Sequence, residues 1–517
     1  MLGCEPAFLS TFWQDMITAR EQWVVDHPGL QSEEQRKCSF PILIHGDEAE
    51  YLDDQKLFIV SWEGGLATGS SLATRFLVAA IPTRRCVKRG TKNATLDALL
   101  TFIVWSFEHM LLGRWPTDEY DAQCPQLQHA PYRRANAGHS LAGGFAATFS
   151  GTKGDLNWMY QVYQFTRNWM SNAVCPECHA TQTDPSTVYS NVEDDAGWLQ
   201  SDGQFAPTSS PLSRVTGWHP ETIWKDPMHM FYVNGCGNDL AAAVIIDCCR
   251  KGLWGHPRRA LDVQLTAAYV SFRQWCTTNH VATTHDGFSR NSLHYKRNKD
   301  YPFLSGKAAD VRVIILWLAH TLPAHGPEYQ SIACCIAHLG HFIQKLSTSG
   351  MLLSGADAAE MRDHGIGFVR TYVRLAHFHV NNQSTLYKVR PKLHYCHHMF
   401  RNIKALSPNF GSCFMNEDYM GKIARIAART HRRTTGLRVL QRFRFSLIRE
   451  IHKHNLVAYA SSRFGPRRSN ARVASTNVPG ALSHALHWQH VQHVAGECDL
   501  QRRVTQPALP NLICCFT

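Results

Sequence analysis

Long hydrophobic runs are missing from this sequence. No stretch of about 18 consecutive apolar residues reads as a bilayer span. The N-terminus, Met1-Leu2-Gly3-Cys4-Glu5-Pro6, lacks the basic-then-apolar layout of a secretory leader. Charge is also sparse, at 18% of 517 residues against 44% hydrophobic. That balance favours folding over most of the length, with disorder expected only at the ends. Phosphate-binding P-loops, dinucleotide fingerprints, Gly-x-Ser-x-Gly elbows and zinc-protease helices are absent, which removes the enzyme classes built on them. No internal repeat, heptad pattern or homopolymer tract occurs, so solenoids and coiled coils are excluded. What remains is a chain long enough for two or three structural units.

Basic residues are in surplus: 53 Lys and Arg against 41 Asp and Glu, a formal net charge of +12. A polyanion such as nucleic acid is the commonest partner for such a surplus, although a basic protein without one has the same composition. The 17 cysteines are scattered and odd in number, and with 29 histidines they complete an unusual inventory. Without a leader, the cysteines read as mostly free, buried thiols in a reducing compartment.

Residues 1–40 read as a helical lead-in, with no recognisable DNA-binding module in it. Residues 41–82 read as strands: Pro41 to His45 stopping at Gly46-Asp47, then Lys56 to Trp62, then Arg75 to Ile81. Residues 95–113 form an apolar helical face. An irregular stretch rich in Gly, Ala and Pro follows over 116–155. Aromatic residues crowd 156–172 ahead of Cys175, and a polar loop extends to about 212. These segments divide the chain into a first core part over 41–230, carrying a Cys-x2-Cys loop insertion at about 116–212, and a helical insertion over 231–385. A last core part covers 386–455, and a mobile basic, His-rich tail covers 456–517.

Three acids stand in unusual contexts. Asp47 closes the apolar run Ile42-Leu43-Ile44-His45-Gly46, where a strand end would hold it rigidly and Gly46 would admit a close neighbour. Asp226 precedes proline in Asp226-Pro227-Met228-His229, and a helix cap explains it equally well. Glu417 opens a helix expected to run to about Arg433. Glu417, Gly421, Ala424 and Ala428 share a nearly bare face beside a basic stripe of Lys422, Arg425, Arg429 and Arg432. That stripe could track phosphates or simply be a solvated face, and capping by the helix dipole is the plain alternative for Glu417. Three carboxylates suit phosphodiester chemistry, in which two oxygen-ligated ions activate the attacking group and steady the leaving oxygen.

Cys175-Pro176-Glu177-Cys178 has half the spacing of a zinc site. His179, Cys124, Cys236 and Cys248 are conceivable completing ligands, none with diagnostic spacing. Two unconnected loop thiols is the competing reading. The run His394-Tyr395-Cys396-His397-His398 reads as a polar seam beside the core.

Taken in order, these segments resemble the DDE transposases of the CACTA and Plavaka type, in particular divergent dinoflagellate-like copies. The matching segments are Ile42 to Asp47, Cys175-x2-Cys178, Asp226 to His229, Tyr301 to Arg312, Arg390 to His394 and Asn416 to Lys422, spanning roughly residues 40–435. The resemblance implies an α/β, RNase H-like mixed sheet flanked by helices, with a large α-helical insertion between the second and third catalytic acids. It implies Asp47, Asp226 and Glu417 as a Mg²⁺-binding triad, with Mn²⁺ as a substitute, and His229 and His394 as supporting or phosphate-facing groups. Cys175 and Cys178 would be zinc ligands where zinc is bound. It implies double-stranded DNA, both transposon ends and target, as partner, a nuclear location, no membrane and a homodimer as a working form. Glu48 stands where the family usually has Gly. A decayed or domesticated copy, a non-catalytic nucleic-acid-binding protein keeping the fold, and a structural remnant without DNA binding are the alternatives.

Overall fold

The computed structural model describes residues 5–90, 92–120 and 131–453; the expected tail at 456–517 lies outside them. The chain is mixed α/β and divides into two units. The first comprises residues 1–164, 208–224 and 414–517, and the second 165–207 and 225–413. The second unit thus takes in the Cys-x2-Cys loop and the segment around His394, which the sequence pattern assigned to the core.

The first unit is built on a five-stranded sheet. Its strands are β1 (Ser39–Leu52), β2 (Gln55–Gly64), β3 (Arg75–Pro82), β4 (Ala146–Gly154) and β5 (Ile223–Lys225), in the order β3-β2-β1-β4-β5. β1 to β3 form an antiparallel meander, and β4 lies parallel to β1. The strand β1 extends well beyond the expected stop. It remains paired past Gly46, so Asp47 sits inside it opposite Ile59 rather than at its end. The reason is that residues 47–52 gain a hairpin partner in β2, which sequence alternation in Asp47-Glu48-Ala49-Glu50 does not advertise.

Alternation along β1 separates two faces. Ile42, Ile44 and Gly46 share one, and the helix Leu156–Tyr163 covers it. The Trp158 ring lies against Gly46, where a Cβ would come within 2.5 Å of the ring. The close approach expected at Gly46 is therefore to Trp158. The helix Ala94–Leu112 packs on β4 from this side, with Phe107 and Phe149 centroids 5.9 Å apart. That helix is long and apolar enough, at mean hydropathy 1.3, to meet the length and composition test for crossing a membrane, although Asp97, Ser106 and Glu108 break its apolar run. Here it serves as a core helix, burying Leu96, Leu99, Leu100 and Ile103.

The opposite face carries Asp47. Ile59, its cross-strand partner, joins Leu57, Leu77 and Tyr51 in a cluster with Tyr419, Met420, Ile423 and Ala427 of the helix Phe414–Ala428, and with Val439, Leu440 and Phe443 of the helix Thr435–Lys453. The Glu417 helix is therefore held on the Asp47 side of the sheet by burial of large apolar side chains.

The second unit is mainly helical around the helix Cys236–Lys251, whose residues from Cys236 to Cys249 are all buried. Its buried acids are satisfied locally. Asp239 accepts from Arg390 Nε at 2.6 Å, and Asp247 accepts from Tyr387 Oη at 3.0 Å, with His379 Nε2 at 3.1 Å. Asp310 opens the helix Ala308–Thr321 and ties down the preceding loop. Its oxygens accept from the Thr283 hydroxyl at 2.7 Å, the Thr284 amide at 2.8 Å and the Thr284 hydroxyl at 2.6 Å. Burial pushes the Asp310 pKa up, but these hydrogen bonds outweigh it and leave the carboxyl below its usual range. A depressed folded pKa means stability that is present above the unfolded carboxylate pKa and lost as pH falls through the folded one. Asp310→Ala is expected to cost about 1–3 kcal/mol at neutral pH, by leaving three donors short of a partner. In urea titrations the gap to wild type should shrink as pH drops below the carboxylate range.

Candidate functional site

Two groups of side chains carry chemistry. The first belongs to the sheet unit. Asp47 is half-buried, and its Oδ1 accepts from the Glu48 amide at 2.6 Å. Glu48 points to the other side of β1, exposed, with Lys56 Nζ at 3.9 Å. β1 and β4 run in parallel register through Ile44–Thr152 and His45–Lys153. One step on, both strands have glycine, and one step further both have aspartate: Gly46-Asp47 and Gly154-Asp155. The Trp158 ring presses on both glycines. Asp155 caps the helix behind it, accepting from the Trp158 amide at 2.6 Å. Asp155 thus follows the last residue of β4, while Asp47 lies inside the longer neighbouring strand β1, two residues beyond the last position paired with β4. Asp155 was not singled out by the sequence reading. The repeated Gly-Asp pair was the available signal.

Glu417 lies in the first turn of the helix Phe414–Ala428 and is half-buried. The adjacent Asn416 is fully buried and donates to Glu63 Oε2 at 3.0 Å. Glu63, near the end of β2, pairs with Lys153 two residues before Asp155, and with Arg75 Nε of β3 at 2.9 Å. Glu63, Arg75 and Lys153 are all buried. One buried charge cluster therefore joins three strands to the Glu417 helix, beside two of the acids.

Asp226 and its neighbour His229 belong to the second unit, whereas Asp47 and Glu417 belong to the first. Asp226 is fully buried. Its oxygens accept from the amides of Met228 at 2.9 Å, His229 at 3.4 Å and Cys413 at 3.0 Å, and His229 Nδ1 lies 2.5 Å away. Asp226 thereby sits just ahead of the π-helical turn Met228–Tyr232 and ties that turn to the chain at Cys413. His229 Nδ1 is the side-chain group closest to the Asp226 carboxylate.

The basic stripe is shorter than expected. The helix ends at Ala428, because Thr430 turns its hydroxyl onto the Ala427 carbonyl at 2.7 Å and the chain passes into turns. Arg429 and Arg432 therefore lie beyond the helix. Lys422 is engaged by Asp418 at 2.6 Å and by Ser71 Oγ at 2.8 Å. Arg425 is exposed on the helix itself.

The second group lies wholly within the helical unit. Cys175 and Cys178 occupy a tight turn, closed by a Val174 amide to Ala180 carbonyl bond of 3.0 Å, and the Glu177 amide points at Cys175 Sγ, 3.4 Å away. His394 and His398 stand one turn apart on the helix Pro391–Arg401. All four side chains are fully buried, and one ligand atom from each lies within 4.8 Å of all the others. Cys178 Sγ is 3.2 Å from His394 Nε2 and 3.3 Å from His398 Nε2, and the two imidazole nitrogens are 3.1 Å apart. Trp198 packs edge-on against His394, its ring centroid 4.5 Å away. His398 Nδ1 meets Asp202 Oδ1 at 3.0 Å, and Glu177 is held by Lys225 at 2.7 Å. Burial alone would keep His398 neutral. Cys175, Glu177 and Asp202 outweigh it and hold the imidazole pKa up to about 10, so the pocket draws positive charge. His397, buried beside them, is pushed the other way to about 3 by that burial and stays neutral.

The His394 to His398 run is thus not a polar seam, and His394 faces thiols rather than phosphate. The completing ligands conceivable from the sequence, none of them with diagnostic spacing, also differ, and Cys236 and Cys248 lie on the helix Cys236–Lys251 outside this group. His179 is exposed and its amide bonds Ser201, while Cys124 lies outside the described residues. Partners 216 residues apart in sequence could not be found from local spacing. Among the described residues, this is the one group of three or more His, Cys, Asp or Glu drawn so close together; the acids of the sheet are spaced more widely. Comparison with family models and with curated proteins returned no match.

Proposed function

We propose that the sheet unit is an RNase H-like catalytic core that cuts and joins DNA phosphodiester bonds with divalent metal ions, in the manner of a cut-and-paste transposase. The observation that carries this reading is that Asp47, within β1, and Asp155, just past the parallel neighbour β4, follow the same register, with Glu417 on a helix packed over the Asp47 face. A mixed sheet clad by helices on both faces, interrupted by a helical segment ahead of the Glu417 helix, is also what the family resemblance implied.

The donors are all carboxylate oxygens, and Asp47 and Glu417 are half-buried, which suits magnesium, an ion that keeps some of its waters. Such ions supply activation of the attacking oxygen and stabilisation of the leaving one. Asp47, Asp155 and Glu417 would hold them. Two ions about 3.5–4 Å apart take separate carboxylates, so the acids need not touch each other. Glu63, with Lys153, Arg75 and Asn416, fixes the strands and helix that present the acids. Arg425, exposed one helical face away from Glu417, offers a phosphate contact. A DNA substrate would place the protein in the nucleus.

The experiment is cleavage of supercoiled plasmid and of short duplex DNA by the full chain, with Mg²⁺ or Mn²⁺ and with EDTA. Metal-dependent nicking supports the reading. Salt-sensitive binding without nicking, weakened by Arg425→Ala, supports the non-catalytic alternative instead. Absence of both binding and nicking at low salt overturns a nucleic-acid role.

A further inference from the structure

We propose that Cys175, Cys178, His394 and His398 together bind one zinc ion that pins the Cys-x2-Cys turn to the helix Pro391–Arg401. Several observations converge on it. The set is complete: two sulfurs and two imidazole nitrogens, all mutually within 4.8 Å. Zinc bonds of about 2.3 Å to sulfur and 2.0–2.1 Å to nitrogen put tetrahedral ligand edges at roughly 3.3–3.8 Å, the longest between the two sulfurs. The observed separations of 3.1, 3.2 and 3.3 Å need only a few tenths of an ångström of expansion. The two nitrogens that face each other are both Nε2, and Cys178 Sγ approaches both, so three donor atoms converge on one point that a metal ion could share.

The surroundings fit as well. His398 turns its remaining nitrogen to Asp202, the carboxylate–histidine arrangement that orients a zinc ligand and raises its basicity. The Glu177 amide directed at Cys175 Sγ stabilises a thiolate there. Binding displaces to solvent the protons that the two thiols and the facing imidazole nitrogens hold, and leaves a neutral Zn(S)₂(N)₂ centre. Neutrality matters because every ligand is fully buried, and an uncompensated dication in that position would be prohibitive. Softness of the ligands selects zinc over magnesium, and four protein donors leave no open position for substrate, so the centre is structural.

The proposal does not depend on the phosphodiester reading, and its test uses no activity. Full chain purified without added metal and passed through gel filtration is expected to carry about one zinc per chain by emission spectrometry. Titrating the thiols with a mercurial should release that zinc to a chromophoric chelator in step with loss of two thiols. Replacement by Co²⁺ should give the visible bands of a tetrahedral thiolate site. Cys178→Ser and His398→Gln should each lose the metal. If either variant fails to fold, the cobalt spectrum of the wild-type chain still decides. A folded wild-type chain without stoichiometric metal, whose thermal unfolding is unmoved by chelator, overturns the proposal. So does a cobalt spectrum lacking sulfur ligation.

Discussion

Asp155→Asn is expected to lower Mg²⁺-dependent cleavage by the full chain about a thousandfold, and Asp226→Asn by no more than a few-fold. Loss of one metal-holding carboxylate removes several kcal/mol of transition-state stabilisation, and each 1.4 kcal/mol or so is a factor of ten in rate. The comparison is informative because the two acids share a second role. Both accept backbone amides at the start of a helical segment, Asp155 from Trp158 and Asp226 from Met228 and His229. Asparagine caps about as well as aspartate, so the Asp155 variant should stay folded and lose chemistry alone. The reverse pattern, a dead Asp226 variant beside an active Asp155 variant, would return the second metal ligand to the position that the sequence motif suggested. Asp47→Asn should behave like Asp155→Asn, since the two stand on neighbouring strands.

Glu63→Ala should be the most damaging single change to the stability of the sheet unit. Removing this carboxylate leaves Lys153 and Arg75 buried with no counter-charge, and takes the acceptor from Asn416. Breaking a buried pair from one side costs about 3–5 kcal/mol. A typical folded domain has only about 5–15 kcal/mol in total. The midpoint of thermal or urea unfolding should fall steeply. Glu63→Gln, which keeps an acceptor for Asn416, should fall less far. Replacing Glu63, Arg75 and Lys153 together by apolar residues of similar size should recover much of the loss, because the cost lies in the unpaired charge. A Glu63→Ala midpoint within a degree of wild type would refute the assignment.

Legibility in the sequence followed locality. The meander strands announce themselves through dense β-branched and aromatic residues, as in Leu57-Phe58-Ile59-Val60. The helices Ala308–Thr321 and Gln330–Thr348 repeat their apolar residues at helical spacing, which predicts helices over 308–321 and 329–347, within a residue of the observed bounds. The central strand β4 was invisible. Ala146-Ala147-Thr148-Phe149-Ser150-Gly151 has neither alternation nor bulk, and it is a strand because β1 supplies the ladder on one side and β5 on the other. Asp155 was hidden for the same reason, since an aspartate after an unrecognised strand looks like any loop acid. Asp47 and Glu417 could be read because each follows or opens a strongly patterned element. The thiol pair was legible from its two-residue gap, whereas its histidine partners depend on how the helical unit folds back on itself.

The order of segments has a consequence for biosynthesis. The helical unit is completed at Cys413, yet the sheet unit still lacks the helix Phe414–Ala428 at that point. A ribosome reaching Cys413 has delivered every strand of the sheet but not the cover for Leu57, Ile59 and Leu77. Nascent chains therefore pass through a stage with a bare apolar sheet face. A premature stop anywhere between Cys413 and Ala428 would make that stage permanent, yielding a sticky product whose later-starting half is already finished.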